Sequence, residues 1–287
     1  MGFTFLVWNV EKFKATNTSR IRTVADHIKD QDPDVLCILE FMGKSSALNP
    51  AGKKDAARRL ISEFLPNYDF GLTDSKKRIE ILTGWKRNKF AQVLYTQRRE
   101  FDANNPNLRP GGLLSVREVG AKSFHNFLFL HTDSGRKKRD YDNRQSMFKK
   151  IWKLKRALQN LPIQAGAARF VAMGDLNTMG RSAVGNLPSI SGTQEITALV
   201  QSAQTNGMRI LSKSFAKTWS NPSGSKKSNL DHVIASDDLK FQEWIFDNDD
   251  STKFEVEVKG WNERTGNARK SFIENISDHC SLWGEIT

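Results

Sequence analysis

The chain reads as an α/β protein in which two packed β-sheets carry helices on their outer faces. Three observations predict this. The first forty residues make a strand, helix, strand unit; strands then follow in quick succession from 68 to 130, a spacing that requires antiparallel neighbours; and strands alternate with helices again from 142 to 286. No linker is long enough to separate independent units, and no tandem repeat of solenoid length is present. A single domain over residues 1–287 is therefore expected, long enough to bury a substantial core.

Residues 3–9 form the first strand. Behind the capping candidates Thr18 and Ser19, the residues Ile21, Val24, Ala25 and Ile28 fall at helical spacing over 19–30, and Pro33 ends that segment. Val35 to Leu39 is an uninterrupted apolar run of a buried strand and delivers Glu40 at its C-terminal end. After a loop with Gly43, Asn49, Pro50 and Gly52, a helix is expected over 54–65 on the apolar face of Ala57, Leu60, Ile61, Phe64 and Leu65. Strands are expected near 68–72, 79–86, 90–96, 112–119 and 124–130. The basic segment Arg136 to Arg139 reads as loop, followed by a helix over 142–160 with Met147, Ile151, Leu154 and Leu158 inward and a solvated lysine face. A strand at 170–173, a Gly/Ser/Asn-rich loop at 180–192, a helix near 193–203 and strands near 208–212, 230–235, 254–259 and 281–286 complete the chain.

Lysine plus arginine exceed aspartate plus glutamate by 44 to 32, a formal charge of +12 that favours a polyanionic partner, since cations that meet phosphates release condensed counterions. The longest apolar runs stop after a few residues, which excludes a membrane-spanning helix. An apolar strand begins at Phe3 with no basic stretch before it, so no secretory leader is expected. Cys37 and Cys280 both sit in strand-like contexts and read as small buried hydrophobes in a reducing cytoplasm. A monomer is expected.

Two motifs carry the chemistry: Gly174-Asp175-Leu176-Asn177 follows an apolar strand, and Ser277-Asp278-His279 precedes one. Two aspartates, an asparagine and a histidine at strand ends can bind a divalent cation and orient a nucleophile at a phosphate. Four further polar positions fall at strand ends: Trp8-Asn9-Val10-Glu11, Leu39-Glu40, Glu80 and His131, with Leu230-Asp231-His232 beside the first motif. Taken in order, this set resembles the endonuclease/exonuclease/phosphatase superfamily over residues 5–286. The resemblance implies a four-layer sandwich of two mixed β-sheets flanked by helices. His131 at the end of Phe127-Leu128-Phe129-Leu130, together with Glu80 before Ile81-Leu82-Thr83-Gly84-Trp85, is similar to the deoxyribonuclease-I branch, in which that histidine pairs with that glutamate. Leu108-Arg109-Pro110 resembles the arginine step by which those enzymes reach a substrate phosphate.

Roles follow from phosphodiester hydrolysis, which builds negative charge on the nonbridging and leaving oxygens. Glu40 is the leading metal ligand, with Asn9 and Asp278 as neighbours and Glu11 as a further candidate. Magnesium is the default ion, manganese a substitute and calcium a structural alternative. Asp175 and Asn177 lie two apart in an extended segment, so the aspartate can orient a water while the asparagine donates to the phosphoryl oxygen. His279, held by Asp231, and His131, paired with Glu80, give two imidazole and carboxylate pairs whose division of labour the sequence leaves open. His27, His125 and His232 read as structural or solvated. The expected activity is a metal-dependent DNA endonuclease. The alternatives are a phosphatase or phosphodiesterase of the same superfamily acting on a phospholipid or small phosphate ester, and a catalytically silent nucleic-acid-binding module. Lys227-Ser228-Asn229-Leu230-Asp231-His232 departs from the Trp-Cys-Asp-Arg pattern of inositol phosphatases, which lowers the phosphoinositide reading.

Overall fold

The computed structural model describes residues 2–14, 17–42, 61–75, 79–102, 105, 108–164, 168–246 and 249–287. Two six-stranded sheets face each other. The first has the order β17-β18-β1-β2-β4-β3, built from Glu257–Lys259, Ser281–Ile286, Phe3–Lys14, Val35–Met42, Glu80–Lys86 and Tyr68–Leu72. The second has the order β11-β14-β8-β7-β6-β5, built from Met208–Ile210, Asp231–Ser236, Phe170–Asp175, His125–His131, Gly111–Glu118 and Phe90–Arg98. Each sheet is mixed: β1 pairs with β2, and β7 with β8, in parallel, while the remaining neighbours are antiparallel.

The strands are apolar on both faces because both are covered. Along β7, Phe127 and Phe129 join the layer between the sheets, and Leu128 and Leu130 pack with Met147, Ile151 and Leu158 of helix α2, Lys138–Gln159. Along β1, the ring of Phe3 meets Phe127 across the sheets, whereas Trp8 points outward to His27 of α1, Thr18–Gln31, and to Phe272 of α4, Gly266–Asn275. Helix α3, Gly192–Thr205, adds Leu199 and Ala203 beside α2. Helices, sheet, sheet, helices is thus the layer order, as expected. Cys37 and Cys280 are free and buried. No helix among the described residues is long and apolar enough to cross a membrane.

Local differences have local causes. α1 is capped by Asn17, whose Oδ1 accepts from the Arg20 amide, one position before the expected cap. α2 starts four residues earlier than expected because the Asp140 carboxylate accepts from the Lys137 amide, which draws Lys138 and Arg139 into its first turn. The short pairs β9–β10 (Gly180–Arg181, Ile190–Ser191), β12–β13 (Trp219–Ser220, Lys227–Ser228) and β15–β16 (Trp244–Phe246, Asp249–Phe254) lie in segments without a usable period. The same holds for α4, which buries only Phe272 and Ile273. The expected helix over 54–65 is seen at 61–64; residues 54–60 and the loop before them lie outside the described residues.

His27 faces the first sheet rather than solvent: it lies against Trp8 and hydrogen-bonds Ser281 Oγ at 2.9 Å. His125 is buried edge-on against Phe3. Burial, helped by Arg264 for His27 and Arg169 for His125, lowers each pKa from 6.5 to about 4. The unfolded chain therefore binds more protons between those two values. Stability is full above pH 6.5, falls as the pH drops towards about 4, and levels off below, by at most roughly 3 kcal/mol for each ring. Urea midpoints measured across that window should fall with pH, and the His27→Gln/His125→Gln variant should flatten the slope; an unaltered slope in the variant contradicts this assignment.

Candidate functional site

The inter-sheet layer is apolar along most of its length and polar at one end, and the two-residue strand period explains why. Phe5 and Val7 are followed at the same spacing by Asn9; Phe127 and Phe129 by His131; Val171 and Met173 by Asp175; and Val233 and Ala235 are preceded by Asp231. Parallel pairing sets His131 opposite Asp175, and antiparallel pairing sets Asp231 opposite Asp175. C-terminal ends of parallel strands and N-terminal ends of antiparallel ones thus meet at one edge. Ligand sites of open α/β sheets lie at such strand ends.

Asp175 is the hub. Its Oδ2 accepts from Asn9 Nδ2 at 3.0 Å, a bond that spans the two sheets, and lies 3.5 Å from His131 Nε2 and 3.9 Å from His279 Nε2. Its Oδ1 accepts from the Asn177 amide at 3.0 Å. Burial raises its pKa to about 7; His279 opposes the shift and Asp231 adds to it. His279 Nδ1 shares a 2.8 Å hydrogen bond with Asp231 Oδ2. Burial works against a charge on that ring, but Asp231, then Asp175 and Asp278, more than offset it and lift the pKa to about 10. His131 goes the other way: burial, then Arg109 and His279, holds it well below 6.5. At neutral pH the site holds one charged and one neutral imidazole.

Glu40 lies inside β2, the parallel partner of β1, in a left-handed conformation (φ 58°), at a bulge where the register shifts between Asn9 and Phe13 and Lys12 takes φ 47°. The Lys12 amide donates to Glu40 Oε2 at 2.9 Å, and Glu40 Oε1 lies 3.6 Å from His131 Nε2. Two non-glycine residues in that conformation mark a strained, site-forming bulge. Asp278 Oδ2 accepts from Trp219 Nε1 at 2.6 Å, while its Oδ1 is buried with no hydrogen-bond partner. The Arg109 guanidinium enters the same region: burial lowers its pKa against Glu40, Asp175 and Asp133, and its Nε has no hydrogen-bond partner.

Ten of the eleven residues singled out from sequence contact one another or interact electrostatically at this edge: Asn9, Glu11, Glu40, Arg109, His131, Asp175, Asn177, Asp231, Asp278 and His279. Two expectations need correcting. Among the described residues no hydrogen bond or ion pair joins His131 to Glu80; the His131 Nε2 faces Glu40 and Asp175, while its Nδ1 and the Glu80 Oε1 are both buried without a hydrogen bond. The buried Glu80 carboxylate instead accepts from Thr73 Oγ1 at 3.0 Å and the Ser75 amide at 2.8 Å, because its strand start abuts that turn. Nor does the chain stay extended past Asp175. Asn177 turns at φ 47°, and its Nδ2 donates to the Thr132 carbonyl at 3.2 Å.

Sequence reasoning missed the braces. Arg20, on α1, donates to the carbonyls of Val10, Glu11 and Ile276, and so joins the end of β1 to the segment carrying Asp278. Ser277 Oγ donates to the Asn9 carbonyl at 2.6 Å and accepts from the His279 amide. Trp8 and Trp261 donate to the carbonyls of His279 and Asp278. Apart from the local bond between Ser277 and the His279 amide, these bonds join different segments of the chain, so no local pattern announces them; the Ser277 position inside its motif is the one available signal.

Asp175, Asp231 and His279 bring ligand-type atoms within 4.8 Å of one another. The arrangement combines carboxylate oxygens suited to a hard cation, a hydrogen-bonded imidazolium and a buried arginine.

A family profile described as Endonuclease/Exonuclease/phosphatase family matches residues 6–279. Among solved structures, truncated Caenorhabditis elegans TDP2 superposes with a TM-score of 0.64 at 16% identity over 100% of this chain and 97% of that one. The D. rerio TDP2 complexed with single strand DNA product gives 0.59 at 12% identity, covering 100% and 99%. The Bacteroides thetaiotaomicron mannosyl-6-phosphatase Bt3783 gives 0.57 at 15%, covering 99% of each chain. No curated protein matches the sequence.

Proposed function

The chain belongs to the endonuclease/exonuclease/phosphatase family of metal-dependent phosphoesterases, and on that footing we propose that it is a phosphodiesterase that cleaves the DNA backbone, with magnesium as its ion. The observation that carries the reading is the buried Asp231, His279 and Asp175 array facing Glu40, His131 and Arg109 at one sheet edge. The charge of +12 and the likeness to a TDP2 crystallised with single-strand DNA product support DNA over a small ester.

Glu40, Asn9 and Asp278 are the proposed metal ligands. The buried, unbonded Oδ1 of Asp278 and the Glu40 carboxylate are hard oxygen donors at the same edge, which fits a magnesium-type ion. Asp231 and His279 fit less well, since they already hydrogen-bond each other. A bound divalent cation neutralises charge developing on the phosphoryl oxygens. The protein's own groups do the rest. Asp175, whose proton affinity burial raises above that of an ordinary carboxylate, accepts a proton from the attacking water. The charged His279, fixed by Asp231, donates to a nonbridging oxygen. Arg109 and the remaining Asn177 N–H bind the phosphate, and neutral His131 orients Glu40 and Asp175.

Hydrolysis rates on matched DNA, RNA, abasic DNA and sugar-phosphate monoesters test this reading. DNA should give the highest kcat/KM; a monoester preference would replace it with the phosphatase alternative. Glu40→Gln should raise the magnesium concentration for half-maximal activity roughly tenfold or more, measured by metal titration; an unchanged midpoint removes Glu40 from the ligand set.

A further inference from the structure

We propose that a second phosphate-binding subsite lies beside the catalytic edge, in the cavity of about 270 Å³ lined by Arg136, Lys217, Lys227, Thr178, Asn229 and the first turn of α3 at Gly192 and Thr193. It receives the backbone phosphate next to the scissile one, and so selects a polynucleotide over an isolated ester. The inference rests on the DNA reading of the neighbouring site and names the residues that set its substrate length.

Position is the first argument. Thr178 follows Asn177, Asn229 precedes Asp231 by two residues, and Thr178 Oγ1 donates to the Asn229 carbonyl at 2.7 Å, so the cavity wall is continuous with the catalytic strand ends. Charge is the second. No acidic side chain lines the cavity, and the exposed side chains of Arg136, Lys217 and Lys227 form no ion pair or hydrogen bond among the described residues; Lys227 only overlies the Trp261 ring, at 5.7 Å. Three cationic side chains on one cavity wall, with no carboxylate among its lining residues, leave positive charge there for an anion to compensate. Shape is the third. A Cβ on Gly192 would sit 2.7 Å from the Thr178 carbonyl, so the glycine lets the backbone of α3 close one wall tightly. The cavity is smaller than the roughly 300–1,000 Å³ of sites that bury a drug-sized molecule, which suits one charged group rather than a whole base.

The test is equilibrium binding of a labelled single-stranded DNA dodecamer, in chelator, over a range of salt. It compares the wild type with Arg136→Glu/Lys217→Glu and with Lys149→Glu/Lys153→Glu, which makes the same charge change on the solvent face of α2. The cavity variant should bind at least tenfold more weakly with a salt slope reduced by about two, while the α2 variant stays within about threefold of wild type. Equal losses in both variants, no loss in the first, or no binding by the wild type overturns the subsite. Binding that behaves as expected, in a wild type that fails to cut DNA when magnesium is added, sinks the hydrolase reading and leaves the subsite standing.

Discussion

His279→Gln is expected to lower kcat on DNA about 1,000-fold, equivalent to about 4 kcal/mol of transition-state stabilisation. The ring is the charged imidazole of the site. Asp231 fixes its Nδ1, and Nε2 lies 3.9 Å from both Asp175 and Asp278, on the side where the phosphate must sit. A neutral amide can occupy that space but cannot deliver a full positive charge to an oxygen on which negative charge develops. KM should change much less, because the ground-state diester carries less charge at that oxygen. Asp231→Asn should lose at least 100-fold, since it removes both the brace and the largest influence favouring the imidazolium. Steady-state kinetics on a defined oligonucleotide, with thermal unfolding run alongside to verify the fold, measures both. Activity within tenfold of wild type in His279→Gln would remove the ring from the mechanism.

Glu195→Ala is expected to cost about 3–5 kcal/mol of folding stability, the largest effect anticipated away from the chemistry. Arg144 and Glu195 are both fully buried and pair through two bonds, at 2.9 and 3.0 Å. The remaining Arg144 N–H groups donate to the carbonyls of Asp133, Gly135 and Gly180, and Glu195 also accepts from the Gly180 amide. Loss of the carboxylate leaves a guanidinium buried without its counter-charge. The pair ties α2, the turn after His131, β9 and α3 together, and that turn and α3 carry Thr132 and one side of the cavity wall. Urea unfolding should give the stated loss for Glu195→Ala, and no recovery in Arg144→Met/Glu195→Leu, because an apolar pair leaves the Asp133, Gly135 and Gly180 backbone groups without partners. A loss under about 1 kcal/mol in the single variant would show that the pair contributes little.

The division between what the sequence announces and what it conceals follows the range of the interactions. Strand period and strand ends are local, so Phe127, Phe129 and His131, or Val171, Met173 and Asp175, can be read off as a buried face that ends in a polar residue. The order of such ends along the chain marks one edge, and the registers that set Asp175 opposite both His131 and Asp231 agree. Side-chain partners across the sheets are not local. The approach of His131 to Glu40 and Asp175, the turn at Asn177, and the Arg20 brace each depend on local backbone geometry, where positive φ at the Lys12 and Glu40 bulge and at Asn177 redirects the chain. The Arg144–Glu195 pair is hidden for a further reason: its members look like ordinary charged positions on two helices 51 residues apart. His27 takes the structural of its two expected roles, because the Trp8 ring and Ser281 supply it with a partly buried polar niche.

Supercoiled plasmid incubated with the purified protein, with and without magnesium and with a chelator added back, tests the central claim that these strand ends form one metal-assisted phosphodiesterase pocket. The account predicts nicking that requires magnesium, stops with chelator and is lost in His279→Gln. Nicking that persists unchanged in chelator or in His279→Gln, or no nicking by the wild type at any salt concentration, would contradict it.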